Sequence, residues 1–264
     1  MKKLVLSVFA VAAATVALNA QGLVSKKGEM MLPEAGDMAI SIDAVPVLNL
    51  LKFNNSGASV SAQPLNYTFT FKKFESATEA CRMGLTLGLN QSTDLTETAE
   101  LNAGVADANN TVTDKSKSKN TNIQVFVGHE HRRGNTRIQG FCGADAYTGI
   151  GSSSSELEFG NDDSDLAAGT YNINNKSGLA FNIGARAFVG AEYFIAPKLA
   201  LGFEAGLALG YDSQAAGETE QLTVTRVGST TTTETNTIEG TSRTRNFGLN
   251  NNLTGGRVSL TFHF

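Results

Sequence analysis

The chain has 264 residues, of which 41% are hydrophobic and 17% charged, with 27 glycines and a formal net charge of −4. That mild acidity argues against a nucleic-acid partner, and it deepens from −4 to −6 if Lys2 and Lys3 leave with a cleaved leader. Beyond the first twenty or so residues no apolar run is long enough for a membrane-spanning helix, which excludes a helical membrane protein but not a barrel, whose strands hide apolar residues in alternation.

Lys2 and Lys3 precede an apolar run over residues 4–18, and Ala20 offers a small residue at a cleavage point before Gln21. This is a secretory pattern: positive, then apolar, then small, and too short for a comfortable spanning helix. Leu18 is larger than the usual residue three positions before a cut, which leaves the exact site open. The expected division is a signal peptide at 1–20, an N-terminal tail at 21–35 and a transmembrane barrel at 36–264.

A first strand is expected over 37–48, with Met38, Ile40, Ile42 and Ala44 on one face, Ser41 and Asp43 on the other, and a break at Pro46. A second covers 66–74, where Tyr67, Phe69 and Phe71 oppose Thr68, Thr70 and Lys72. After a tight turn a third covers 79–90, with Cys81, Met83, Leu85 and Leu87 opposite Arg82, Gly84 and Thr86. Residues 91–120 are polar and read as an exposed loop. A fourth strand at 121–130, a charged and solvated turn at 131–136 carrying Arg132 and Arg133, and a fifth strand at 137–149 follow. Residues 152–177 read as a solvated acidic loop: Asp162, Asp163 and Asp165 lack the glycine and closing glutamate of a calcium loop. A sixth strand at 179–194 turns into a seventh at 199–211, whose Leu199, Leu201, Phe203, Leu207 and Leu209 oppose Gly202, Glu204, Gly206 and Gly210. A last loop at 212–246 leads to a final strand ending at Phe264.

Eight strands with alternately short and long connections predict an all-β fold: an eight-stranded antiparallel up-and-down transmembrane barrel. Its short turns and both ends would be periplasmic, its four long loops extracellular. A secreted sandwich or lipocalin-like barrel would alternate equally well, but it buries its larger apolar residues inside, whereas here the inner face is Gly, Ala, Arg and Glu. Val258, Leu260, Phe262 and Phe264 alternate to an aromatic end, the form of the C-terminal assembly signal of outer-membrane barrels.

Three stretches carry a family likeness: EHRRGNTRIQGF at 130–141, GARAFVGAEYFIAPKL at 184–199, and GDMAI at 36–40 followed by PVLN at 46–49. Together they resemble the small outer-membrane β-barrel proteins common in Bacteroidetes, of the OmpA/OmpX type. The resemblance spans most of the mature chain except the long loops. It implies fold and an outer-membrane location in a Gram-negative bacterium, and little about activity. Met38 stands where Trp is expected, and the chain has no Trp, so an interfacial aromatic belt must come from residues such as Tyr67, Tyr193, Phe194, Tyr211 and Phe264.

The inward parity collects Arg82, Glu130, Arg137, Arg186, Glu192, Glu204 and Arg257, read as an ion-pair network filling the lumen rather than as a gate or proton path. Glu204 is expected diagonally across the hairpin from Arg186. His129, His131 and His263 all fall at the turn end, so they assemble no Ser/His/acid triad among the outer loops. No catalytic residue, metal site or cofactor is expected. The expected partners are outer-membrane lipids, the barrel assembly machinery during insertion and an envelope or extracellular protein. The function so read is a non-enzymatic barrel with a structural, adhesive or partner-binding role. A narrow channel or small-ligand translocator and a lipid-modifying enzyme are the alternatives. Cys81 and Cys142 lie on strands separated by a third, roughly 10 Å apart, which is too far for a disulfide, and both parities point outward.

Overall fold

The computed structural model describes residues 23–25, 27–44, 66–228, 230–249 and 255–264. The expected leader, the break at Pro46 and the polar stretch after it lie outside these residues. The strands are β1 (Met38–Asp43), β2 (Asn66–Ser76), β3 (Glu79–Asn102), β4 (Val105–Arg133), β5 (Ile138–Glu158), β6 (Gly169–Lys176), β7 (Ala180–Ala196), β8 (Leu199–Gln214), β9 (Glu218–Val227), β10 (Thr230–Glu239), β11 (Thr244–Leu249) and β12 (Gly255–His263).

All pairings are antiparallel, and eight of the strands pair in a cycle. β1 pairs with β2, β2 with β3, β3 with β4, β4 with β5 and β5 with β7. β7 then pairs with β8, β8 with β12, and β12 with β1 again. The seam between first and last strand is carried past β12, because Met38 and Phe264 exchange both backbone hydrogen bonds, at 2.9 and 2.8 Å. A cycle leaves no unpaired edge. Among the described residues no helix is long and apolar enough to cross a membrane, which says nothing about crossing with strands.

Alternation sorts the side chains of this ring. Outward residues are apolar and exposed: Met83 is 56% exposed, Phe203 54% and Leu207 61%, with Ile40, Phe69, Val125, Phe181, Ile183 and Phe262 in the same position. Inward residues are polar or charged, with a few aromatic rings. Glycine makes room for those rings. A Cβ built on Gly84 would come within 2.2 Å of the Phe126 ring, and one on Gly190 within 2.3 Å of the Phe141 ring, so each ring sits against bare backbone of a neighbouring strand. The expected aromatic belt is corrected at one position: Tyr193 is outward, and Phe194, one residue on, is fully buried.

The long polar segments are not loops. β3 and β4 continue as one hairpin to a turn at Ala103 and Gly104, both with positive φ (50° and 83°). β5 continues to Glu158, and beyond it β6, β9 and β10 extend the sheet in the order β10-β9-β6-β5-β4-β3. This extension has a small core of its own, Leu166, Leu222 and Val224, against which Leu101, Phe159, Tyr171 and Ile173 pack. The acidic segment after β5 is folded as well. Asp165 accepts from the Ala103 N–H at 3.2 Å, its own carbonyl takes the Gly104 N–H at 2.8 Å, and Glu158 pairs with Lys117. The runs in β3 and β4 beyond the ring read as loops because both of their faces are wet and give no period-2 hydropathy signal. In β6 and β9 the alternation is present but short, Tyr171 with Ile173 and Leu222 with Val224, among Thr, Asn and Gln.

The other end of the ring is tight. Short turns join β2 to β3, β4 to β5 and β7 to β8. Residues 23–25 and 27–35 fold beneath it. Val24 bridges Met30, and Met31 is buried against Phe194 and Ala200 with Leu23 and Leu32 beside it. The Lys198 N–H reaches the Met31 carbonyl at 3.3 Å.

Candidate functional site

The ring interior holds the densest chemistry of the molecule. Strand parity sends Lys72 inward from β2, Arg82 from β3, Glu130 and Arg132 from β4, and Asp145 from β5. Arg186 and Glu192 come from β7, Glu204 from β8 and Arg257 from β12, with Asp43 at the end of β1.

These side chains meet inside the ring, several of them within five residues of the turn end of their strands. Lys72 Nζ lies 2.9 Å from Glu130 and 3.0 Å from Glu192. Arg132 donates to Glu130 at 2.8 Å, to Glu192 at 2.6 Å and to Gln139 at 2.9 Å. Arg82 reaches Glu204 at 2.8 Å, Asp145 at 3.2 Å and Glu130 at 3.3 Å. Arg186 bridges Asp145 at 2.7 Å and Glu204 at 2.8 Å, and Arg257 joins Glu204 to Asp43, both at 3.5 Å. The network thus contains five cations and five carboxylates, every one linked to the rest. That balance matters because a buried charge without a partner is costly.

Aromatic rings brace the cations. The Arg82 guanidinium lies 4.0 Å from the centroid of Phe188 and Lys72 Nζ 5.0 Å from that of Phe141. Below the network, Phe74 and Phe194 flank the buried ring of His263, at 5.5 and 5.3 Å between centroids. With Met31 beneath Phe194, the turn end is closed by apolar packing. Above the network Phe126, Tyr147 and Ala208 form another layer. Beyond it, toward the extension, a polar cavity of about 330 Å³ opens between β3, β4, β5, β7 and β8, lined by Asn90, Asn120, Asn182, Asp212 and Gln214 among others.

Of the expected lumen residues, the structure brings together Arg82, Glu130, Arg186, Glu192, Glu204 and Arg257. Glu204 lies opposite Gly190 in register, four residues from Arg186, and the two side chains meet diagonally. Arg137 is a correction. It is exposed and precedes β5, in the connection where inward parity no longer applies. Arg132 corrects the reading of a solvated turn: β4 runs on to Arg133, so Arg132 keeps the inward parity of Glu130 and is 1% exposed. Lys72 and Asp145 share the inner parity in the sequence, but alternation says which wall a residue faces, not which side chain it meets across the ring. Val258, Leu260, Phe262 and Phe264 share one side of the terminal segment, Phe262 and Phe264 being 55% and 48% exposed. His129 and His131 lie on the outer face near the turn end and His263 inside it. Cys81 and Cys142 are free and exposed on β3 and β5, on either side of β4.

No family model and no curated protein matches the chain. Among solved structures it is similar to the outer membrane protein OprG from Pseudomonas aeruginosa, at 10% identity and a TM-score of 0.33, over 89% of this chain and 98% of that one.

Proposed function

We propose that the chain is a non-enzymatic integral outer-membrane barrel of a Gram-negative bacterium, of the small OmpA/OmpX-like kind found in Bacteroidetes. Its eight-strand ring crosses the bilayer, its turns and both strand ends face the periplasm, and its β-extension stands outside the cell as a platform for structural, adhesive or partner contacts. The observation that carries this reading is the inverted polarity of the ring. Large apolar side chains are exposed around its outside while charges are buried within, the arrangement a lipid solvent demands and water does not. The band has a suitable height. From Leu199 to Tyr211 the outward face of β8 is apolar, a distance of about 40 Å along the strand and about 28 Å along a barrel axis at the usual tilt of about 45°. Lipids are therefore the ring's surroundings, and the assembly machinery of the outer membrane its partner during insertion.

The lumen favours a plugged barrel over a channel, because the neutral network and the aromatic layers above and below it span the ring. The test is twofold. Refolded protein should migrate faster on gels unheated than boiled and fractionate with outer membranes, and it should give no steady conductance in planar bilayers. Recovery in the soluble periplasm removes the reading; stepwise conductance replaces the plugged barrel with a narrow channel.

A further inference from the structure

We propose that the outer face of the ring at its turn end carries a site for a divalent transition ion of the zinc class, held by Glu75, Glu79 and His129, with Cys81 as the fourth ligand. The register between β2 and β3 shifts between Phe74 and Ser76, leaving Glu75 in the bulge as an additional exposed side chain. Across the next pair Cys81 stands opposite His129, and Glu79 opposite His131. One ligand atom each from Glu75, Glu79 and His129 lies within 4.8 Å of the others. Cys81 Sγ lies 3.1 Å from Glu75 Oε1, and His129 Nε2 lies 3.9 Å from Glu75 Oε2. Ligands about 2.0–2.3 Å from a tetrahedral ion stand about 3.3–3.8 Å apart, so Cys81 and Glu75 would part slightly, the other donors would draw in, and exposed side chains reach that geometry by small rotations.

The donor set selects the ion. Two carboxylates alone would suit calcium or magnesium, but an imidazole and a thiol added to them favour a borderline metal. Binding displaces the thiol proton, and the imidazole coordinates in its neutral form. Lys73, opposite Cys81 on β2, completes the charge balance: two carboxylates and a thiolate against a divalent ion and one ammonium. The competing account is a row of ordinary surface ion pairs, which needs a protonated His129 and weakens with salt. The site lay beyond the sequence reading because its donors come from three strands, and only the strand register makes them neighbours.

The experiment uses the full mature chain refolded in detergent, with zinc or cobalt ion as the probe. Alkylation of each cysteine by a water-soluble maleimide is read peptide by peptide by mass spectrometry. Zinc should slow modification of Cys81 about tenfold or more while leaving Cys142 unchanged, and cobalt should give a thiolate-to-metal charge-transfer band. His129→Ala and Glu75→Gln should each weaken zinc binding about tenfold or more. Their unheated gel mobility should be preserved, since both residues are exposed. Equal protection of both cysteines, protection that survives His129→Ala, or absence of the cobalt band overturns the site.

Discussion

At the scale of residues, Arg132 shows what parity can and cannot tell. It donates to Glu130, Glu192 and Gln139 at once, and the first two are carboxylates with almost no solvent contact. Arg132→Ala takes one cation from each, leaving Glu192 on Lys72 and Glu130 on Lys72 and Arg82, with five buried carboxylates against four cations, so we expect a loss of about 3–5 kcal/mol in urea unfolding of the vesicle-inserted barrel. Arg186 sits at the edge of the network, its side chain 11% exposed. Arg186→Ala should cost less than Arg132→Ala but more than Lys117→Ala, whose pair with Glu158 is on the open face of the extension. Equal midpoints for all three would remove the network as a source of stability. The inner face of the strands was legible from two-residue alternation, Arg82, Glu192 and Glu204 among it. Arg132 escapes the sequence because β4 runs three residues past the point where its alternation fades, and Arg137 falls outside the inner face because β5 begins one residue after it. Partners across the lumen depend on ring closure and stagger, which no local pattern encodes.

Asp37 belongs to the same scale and links a charge to the turn end. Burial alone would raise its carboxyl. The Lys198 ammonium and the Glu34 N–H, which donates at 2.8 Å, outweigh that and hold it below the ordinary carboxylate range. A depressed carboxylate contributes stability that is full above its unfolded value of about 3.9 and fades as pH falls through the lower folded value. Asp37→Asn should therefore be less stable than wild type at neutral pH. The difference should shrink below about pH 4, as followed by urea midpoints across a pH series. A constant gap at every pH would mean that the carboxylate plays no part.

At the scale of elements, the ring strands, apolar along the whole of one face, are readable; the extensions of β3 and β4, wet on both sides, and β6 and β9, apolar at only two alternate positions each, are not. The extension nevertheless pairs rung by rung with the ring strands: Gln91 lies opposite Lys119 and Ser92 opposite Ser118 within one continuous ladder. Replacing residues 92–118 with a two-residue turn should leave a barrel that still inserts and still migrates by its folded form on unheated gels. Loss of insertion would show that the extension is needed to build the ring. The seam behaves differently. Phe264 supplies both a backbone donor and an acceptor to Met38, completing the closure that β12 begins. Deleting Phe264 should reduce membrane insertion while leaving secretion intact, measured by fractionation and protease accessibility; undiminished insertion would mean the terminal pair is dispensable.

At the scale of the whole molecule, β3 and β4 run from the turn end of the ring to the tip of the extension, 24 and 29 residues each, with one register shift near the tip between Ala99 and Glu100. β3, whose 24 residues are all paired to β4, covers about 79 Å at about 3.3 Å per residue. A load applied at Ala103 along these strands meets backbone hydrogen bonds set across its direction, so the rungs bear it together and must fail together. A load applied sideways to β10, which among the described residues pairs with β9 alone, opens one rung at a time. The hairpin is therefore a tether of high tensile strength rooted in the ring, and the β10 margin is a zipper. Single-molecule pulling with a handle at Ala103 should rupture at higher force than lateral pulling with a handle at Ile238, and the reverse order would show that the tip is not anchored through its ladder. Under the proposed function, a force on that tip would pass into the barrel wall itself, through the same rungs that close the ring.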